Sequence, residues 1–195
     1  KKKKTELGKG SNQAEAVVTV LKALMNEHGN GVFGGDGYSA EWHEKAVTER
    51  GLKNIPTTAD ALPALREESV VKLFERAAVL SPVELESRFE VYSEQYVLSI
   101  EVEAKLVIDM AKTLIYPAAV SYLSTLASTG TNMASIGVEL DQSTAKTVAA
   151  HANAMMEAVG KLSAAMEKED FSSTEEHMQF CAKEVRGLMN EVRSA

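Results

Sequence analysis

A single cysteine, Cys181, is present among the 195 residues. The chain therefore closes no internal disulfide, and a reducing compartment fits it. No run of 18 consecutive apolar residues occurs, so no membrane span is predicted. The basic opening, Lys1 to Lys4, is followed by no apolar stretch of the kind a secretory leader carries. Metal chemistry is equally thin. The chain has four histidines, at 28, 43, 151 and 177, and no two of them stand at His-x-x-x-His spacing. One cysteine cannot build a structural zinc site. A di-iron bundle needs a glutamate three residues before a ligating histidine. Those positions hold Met25, Ala40, Val148 and Thr174, so that site is excluded.

What is present is an ordinary globular composition, 45% hydrophobic and 25% charged, with an acidic excess. The formal net charge is −7, or −11 without the four opening lysines. An acidic body repels phosphate backbones, which argues against nucleic acid as a partner. Residues 1–12 are expected to be a flexible basic tail. The absence of an initiating Met, with that lysine run, predicts a segment of a longer protein.

Apolar periodicity predicts an all-α chain, with a small helical lobe over 13–80 and an antiparallel helical bundle over 81–195. Gln13 to His28 sets Ala14, Val17, Val18, Leu21, Leu24 and Met25 on one helical face. Gly29 stops that helix, and a glycine-rich loop with a short extended piece follows to Gly37. Ser39 caps a second helix to about Arg50, which Gly51 stops. Thr57, Thr58 and Asp60 offer caps for one or two short helices reaching about Ala77. Ser81-Pro82-Val83-Glu84 is a capping box with proline at the first helical position. A long helical pattern follows, and Pro117 should kink or break it near Tyr116. Residues 128–142, small and polar with two glycines, predict a flexible loop. Another helix is expected from Thr144 to Lys168 after a cap at Asp141 or Ser143. A second capping box, Ser173-Thr174-Glu175-Glu176, opens a last helix carrying Met178, Cys181, Val185, Leu188 and Val192 at seam spacing.

No residue emerges as a catalytic, cofactor-binding or metal position. Gly29-Asn30-Gly31-Val32-Phe33-Gly34 matches G-x-G-x-x-G in letters. A dinucleotide fingerprint, however, requires a strand before it and a helix at its end, and here a helix precedes. His151 lies on a bundle helix, as in histidine phosphotransfer domains, but Ala152-Asn153-Ala154 follows where those domains place a lysine and a small residue. It reads as a partly exposed helical histidine. Glu41–Lys45, Glu101–Lys105 and Glu157–Lys161 are surface pairs at i,i+4. Glu90 and Glu94 are like-charged at that spacing and predict solvation or a partner on another helix. Met155, Met156 and Met166 read as core filler. Cys181, on the seam, reads as a buried small apolar residue.

Several blocks in order resemble the C-terminal region of type III glutamine synthetases. They begin with Phe33-Gly34-Gly35-Asp36-Gly37-Tyr38-Ser39-Ala40-Glu41-Trp42 and Glu49-Arg50-Gly51-Leu52-Lys53-Asn54. Thr57-Thr58-Ala59-Asp60-Ala61-Leu62-Pro63-Ala64-Leu65 and Lys72-Leu73-Phe74-Glu75 continue them. Glu84-Leu85-Glu86-Ser87-Arg88-Phe89-Glu90, Ile108-Asp109-Met110-Ala111-Lys112 and Tyr116-Pro117-Ala118 complete the set. The resemblance implies a fragment of a larger multidomain enzyme that ligates ammonia to glutamate through a γ-glutamyl phosphate. It implies ATP and Mg or Mn for the whole enzyme, none bound by this segment. The family's metal-binding glutamates and histidine and its phosphate-binding arginines lie in an upstream catalytic barrel, so no site residue transfers here. A short tail with a Trp-Pro motif, found in the family, is missing, which predicts truncation at both ends. The implied partners are the remainder of the enzyme chain and other subunits of a double-ring homo-oligomer, with a cytoplasmic location, or a plastid one in a photosynthetic eukaryote. The competing reading is a free-standing helical interaction module without enzymatic activity.

Overall fold

The computed structural model describes residues 13–29, 32 and 34–195. The tail expected over 1–12 and part of the glycine-rich segment lie outside them. The described residues form helices and no strand. The chain divides into two compact units, one ending at Asn54 and the other spanning Ile55–Ala195.

The first unit holds α1 (Gln13–His28) and α2 (Ala40–Thr48). The apolar spacing and glycine stop place α1 as predicted, but its apolar face is not a core. Ala16 is buried while Val18, Leu21, Leu24 and Met25 are exposed. Ser39 caps α2, its side chain accepting from the Trp42 backbone N–H at 3.2 Å. Gly51 takes the left-handed φ of +63° that ends the segment without a Cβ penalty.

The second unit opens with α3 (Thr58–Ala61), a 3₁₀ turn (Leu62–Arg66) and α4 (Glu68–Arg76). These pieces pack on the long helix that follows, so the boundary expected at residue 80 moves to Asn54–Ile55. Ala59 is the reason in part: it is fully buried within the bundle core. Gln179, on a later helix, donates to the Ala59 carbonyl at 3.0 Å and fixes that contact.

Next comes α5 (Pro82–Met110), opened by the capping box at Ser81. Ser81 Oγ accepts from the Glu84 N–H at 3.3 Å, and the Glu84 carboxylate accepts from the Ser81 N–H at 2.8 Å. Of the kink or break expected near Tyr116 because of Pro117, the break does not occur, but the α-helical ladder is interrupted just before it. A π turn over Ala111–Ile115 carries α5 directly into α6 (Tyr116–Ser135). The Tyr116 N–H reaches back to the Ala111 carbonyl. This wider turn, one step before the proline, absorbs the missing donor and the crowding of the carbonyl four residues earlier.

The loop expected over 128–142 is corrected as well. Residues 128–135 are helical, and α6 ends in a Schellman motif. Val138 N–H bonds the Met133 carbonyl at 3.0 Å and Gly137, at φ +81°, occupies the left-handed position. Tyr116, Ala119, Leu123, Leu126, Gly130 and Met133 are half-buried at 3-4-3-4-3 spacing, the seam on which α6 packs against the next helix. That helix, α7 (Ser143–Ala165), packs on α6. The Asp141 carboxylate accepts the Ser143 N–H at 3.0 Å just ahead of it.

The last segment is α8 (Thr174–Phe180), a second π turn (Cys181–Val185) and α9 (Arg186–Ser194). Met178, Cys181, Val185 and Val192 are buried against Met155, Val159 and Leu162 of α7, and Leu188 is half-buried beside them. By length and composition, Pro82–Ser135 is also long and apolar enough to cross a bilayer. Its apolar character is an average, since polar or charged residues interrupt every long apolar stretch in it.

Candidate functional site

Two polar constellations sit on α5. The first is centred on Arg66, at the end of the 3₁₀ turn. Its Nε donates to the Glu86 carboxylate at 2.9 Å, Nη2 reaches Glu90 at 3.1 Å and Nη1 reaches Glu175 at 3.0 Å. The guanidinium also lies 3.8 Å above the centroid of the buried Phe89 ring. One planar fork thus joins the 3₁₀ turn, α5 and α8, a geometry that lysine could not supply. The hydrogen bond from Arg66 holds the Glu86 carboxyl below the usual carboxylate range. Thr57 and Gln179 do the same for Asp60, and Ser81 does so for Glu84.

The second is a groove of about 510 Å³ between α5 and the segment entering α8. Val97, Leu98 and Phe171 form apolar walls, with Glu94, Glu101, Glu169 and His177 as the charged or titratable lining. His177 Nε2 lies 3.4 Å from Glu101, and its ring stacks on Phe171 with centroids 4.1 Å apart. Lys168 Nζ sits 4.9 Å from the Phe171 ring and 4.7 Å from Phe180. Ser173 caps α8 through the Glu176 N–H at 3.1 Å. The carboxylate of Glu176 returns to the Ser172 N–H at 2.8 Å, so the reciprocal half of this box falls one residue early.

The residues weighed in the sequence fall elsewhere. His151 Nδ1 donates to the Ala195 backbone oxygen. His28 lies 3.6 Å from Glu27, and no group of three or more His, Cys, Asp or Glu among the described residues is placed to hold a metal ion. Glu101–Lys105 and Glu157–Lys161 pair at 3.6 and 3.1 Å as expected. Lys45 pairs with Glu49 at 3.8 Å instead of Glu41. Glu90 finds its partner on another element, Arg66, whereas Glu94 lines the groove. Cys181 is buried, and burial, with the Glu101 carboxylate adding to it, pushes its thiol up to about 11. Most of the G-x-G-x-x-G match lies outside the described residues. Sequence reasoning missed Arg66 and Phe171, because each makes its contacts across elements and no local spacing signals them.

Comparison with known proteins gives the frame for these constellations. The family described as "Glutamine synthetase C-terminal domain" matches over residues 16–134. The type-3 glutamine synthetase of Dictyostelium discoideum is 36% identical over 194 residues, 95% of this chain and 26% of that protein. A glutamine synthetase of Butyrivibrio fibrisolvens is 32% identical over 113 residues, 58% of this chain and 16% of its own. That of Bacteroides fragilis is 32% identical over 117 residues, 60% of this chain and again 16% of its own. This chain therefore spans about a quarter or less of the length of the curated relatives it matches.

Proposed function

Because this chain belongs to the glutamine synthetase C-terminal domain family, we propose that it is the non-catalytic helical part of an enzyme that ligates ammonia to glutamate at the expense of ATP. The observation that carries the structural role is where its reactive side chains are spent. Arg66 is committed to three carboxylates and a phenyl ring, His177 to Glu101 and Phe171, and Cys181 to the core. Each of them joins one helix to another.

Phosphoryl transfer to glutamate requires divalent metal bridging phosphate oxygens and cations facing the developing charge. In this reading those groups, with ATP and Mg or Mn, belong to the catalytic part of the same enzyme. The helical region serves as scaffold or contact surface within a homo-oligomer, in the cytoplasm or a plastid. The test compares two purified proteins, this 195-residue chain and the full-length subunit, with ATP, Mg²⁺, glutamate and ammonia. The full-length subunit should release phosphate and form glutamine, and the 195-residue chain should match a no-protein control. Phosphate release by the shorter chain well above that control would overturn the assignment.

A further inference from the structure

We infer that the side of α5 turned away from the bundle is a docking surface for the catalytic part of the glutamine synthetase polypeptide. The docked segment is one that presents apolar side chains flanked by lysine or arginine. This rests on the family reading above and adds the surface and the occupant.

The helix is apolar on two opposite sides. Leu85, Phe89, Ile100 and Ala104 are buried in the bundle. Across the helix from them, Val91, Leu98, Val102 and Leu106 are 54%, 62%, 56% and 54% exposed. A helix with apolar residues all round is ordinarily a buried helix, because one side would otherwise hold a contiguous apolar strip in water. Leu98 also forms a wall of the groove beside α8, so strip and groove are one surface.

Carboxylates predominate on its rim, with Lys105 and Lys168 as the cations beside it. Glu94 and Glu169 have no ion-pair partner among the described residues, and Glu101 faces His177 and Lys105. Lys105, which lies within 3.6 Å of Glu101, partly offsets it. An apolar centre with an acidic rim is complementary to an apolar segment edged by basic residues. Two copies meeting through this surface would oppose like charges. Lys105 and Asp109 stand on the same side as the strip, which makes burial in hydrocarbon costly. Most of the Dictyostelium relative lies outside the matched region, and that remainder is the chain available to cover the surface.

The test uses the full-length subunit with the photo-crosslinker p-benzoylphenylalanine placed at position 98 or, separately, 102. Irradiation followed by peptide mass spectrometry should give adducts to peptides of the catalytic part. In the Glu94→Lys/Glu169→Lys background the adduct yield at position 98 should fall several-fold, with the circular-dichroism spectrum unchanged. Adducts to α5 of a second copy, or to residues 13–54, would overturn the inference. Adducts to lipid in phosphatidylglycerol vesicles, or no adducts at all, would do the same, as would a yield indifferent to the two charge reversals. The unsubstituted subunit is assayed for glutamine formation in parallel. Failed cross-linking with normal activity sinks only the docking surface, whereas an inactive full-length subunit sinks the family function.

Discussion

At the scale of single residues, Cys181 and Ala78 carry the sharpest consequences. The Cys181 thiol is buried and pushed up to about 11, above the ordinary cysteine value of about 8.5. Its folded-state pKa is thus the higher one, and folding favours the neutral thiol. The stability this contributes is fully present below about pH 8.5 and is lost as pH rises toward about 11. Urea midpoints measured from pH 7.5 to 10.5 should fall over that interval, and Cys181→Ala should flatten the fall. A slope unchanged by the substitution would show that other groups cause it. Native Cys181 should also resist alkylation at pH 8 until urea unfolds the chain. Ala78 is the non-glycine residue described with positive φ, +52°. It holds the left-handed position after α4, where the Val79 N–H returns to the Phe74 carbonyl at 3.1 Å. Left-handed backbone costs an L-residue with a Cβ roughly 1–2 kcal/mol, so Ala78→Gly should raise stability by about 1 kcal/mol. A lower thermal midpoint for Ala78→Gly would refute the strain.

At the scale of elements, apolar spacing, which leaves the regular face of α1 exposed, does report packing in the last helices of the bundle. The Met178-Cys181-Val185-Val192 seam is a case in point. Its central partner Leu162 is fully buried, while Leu188 is only half-buried. Leu162→Ala should therefore cost about 2–5 kcal/mol and Leu188→Ala distinctly less, read from urea midpoints. Equal costs would mean that the seam is packed otherwise. The α6 seam was harder to see because Ser, Thr and Gly surround it, the residues that also compose loops. Its 3-4 spacing was nonetheless there, and packing against α7 outweighed the low propensity. Pro117 shows the complementary limit. Proline chemistry announces a defect in the hydrogen-bond ladder, but a π turn rather than a break resolves it. The second π turn, Cys181–Val185, contains no proline. Cys181 and Val185, at its two ends, are both in the core.

At the scale of the whole molecule, the division at Asn54–Ile55 falls in a stretch without helix, from Gly51 to Pro56. Limited proteolysis should cut there first and leave a fragment beginning near Ile55. That fragment should keep its helical circular-dichroism signal and its cooperative melt. Loss of the melt on cleavage would mean that Ile55–Ala195 is not stable as a unit.

The sequence alone determined the all-α class, the Ser81 capping box, the Ser173 cap and the apolar seam of the last helical segment in the bundle core. These depend on neighbours within a few residues, and local spacing and side-chain chemistry report such neighbours directly. It also carried the family blocks, from Phe33 to Ala118. Only the tertiary structure decided where the units divide, since Ala59 reads the same whether its partners lie before or after residue 80. Only it brought Arg66 to Glu86, Glu90 and Glu175, the last 109 positions away in the chain. Likewise, only it separated the buried side of α5 from the exposed one. Phe89 and Val91 are equally apolar in a list of letters, and which of them meets the bundle is set by the helices that close over it.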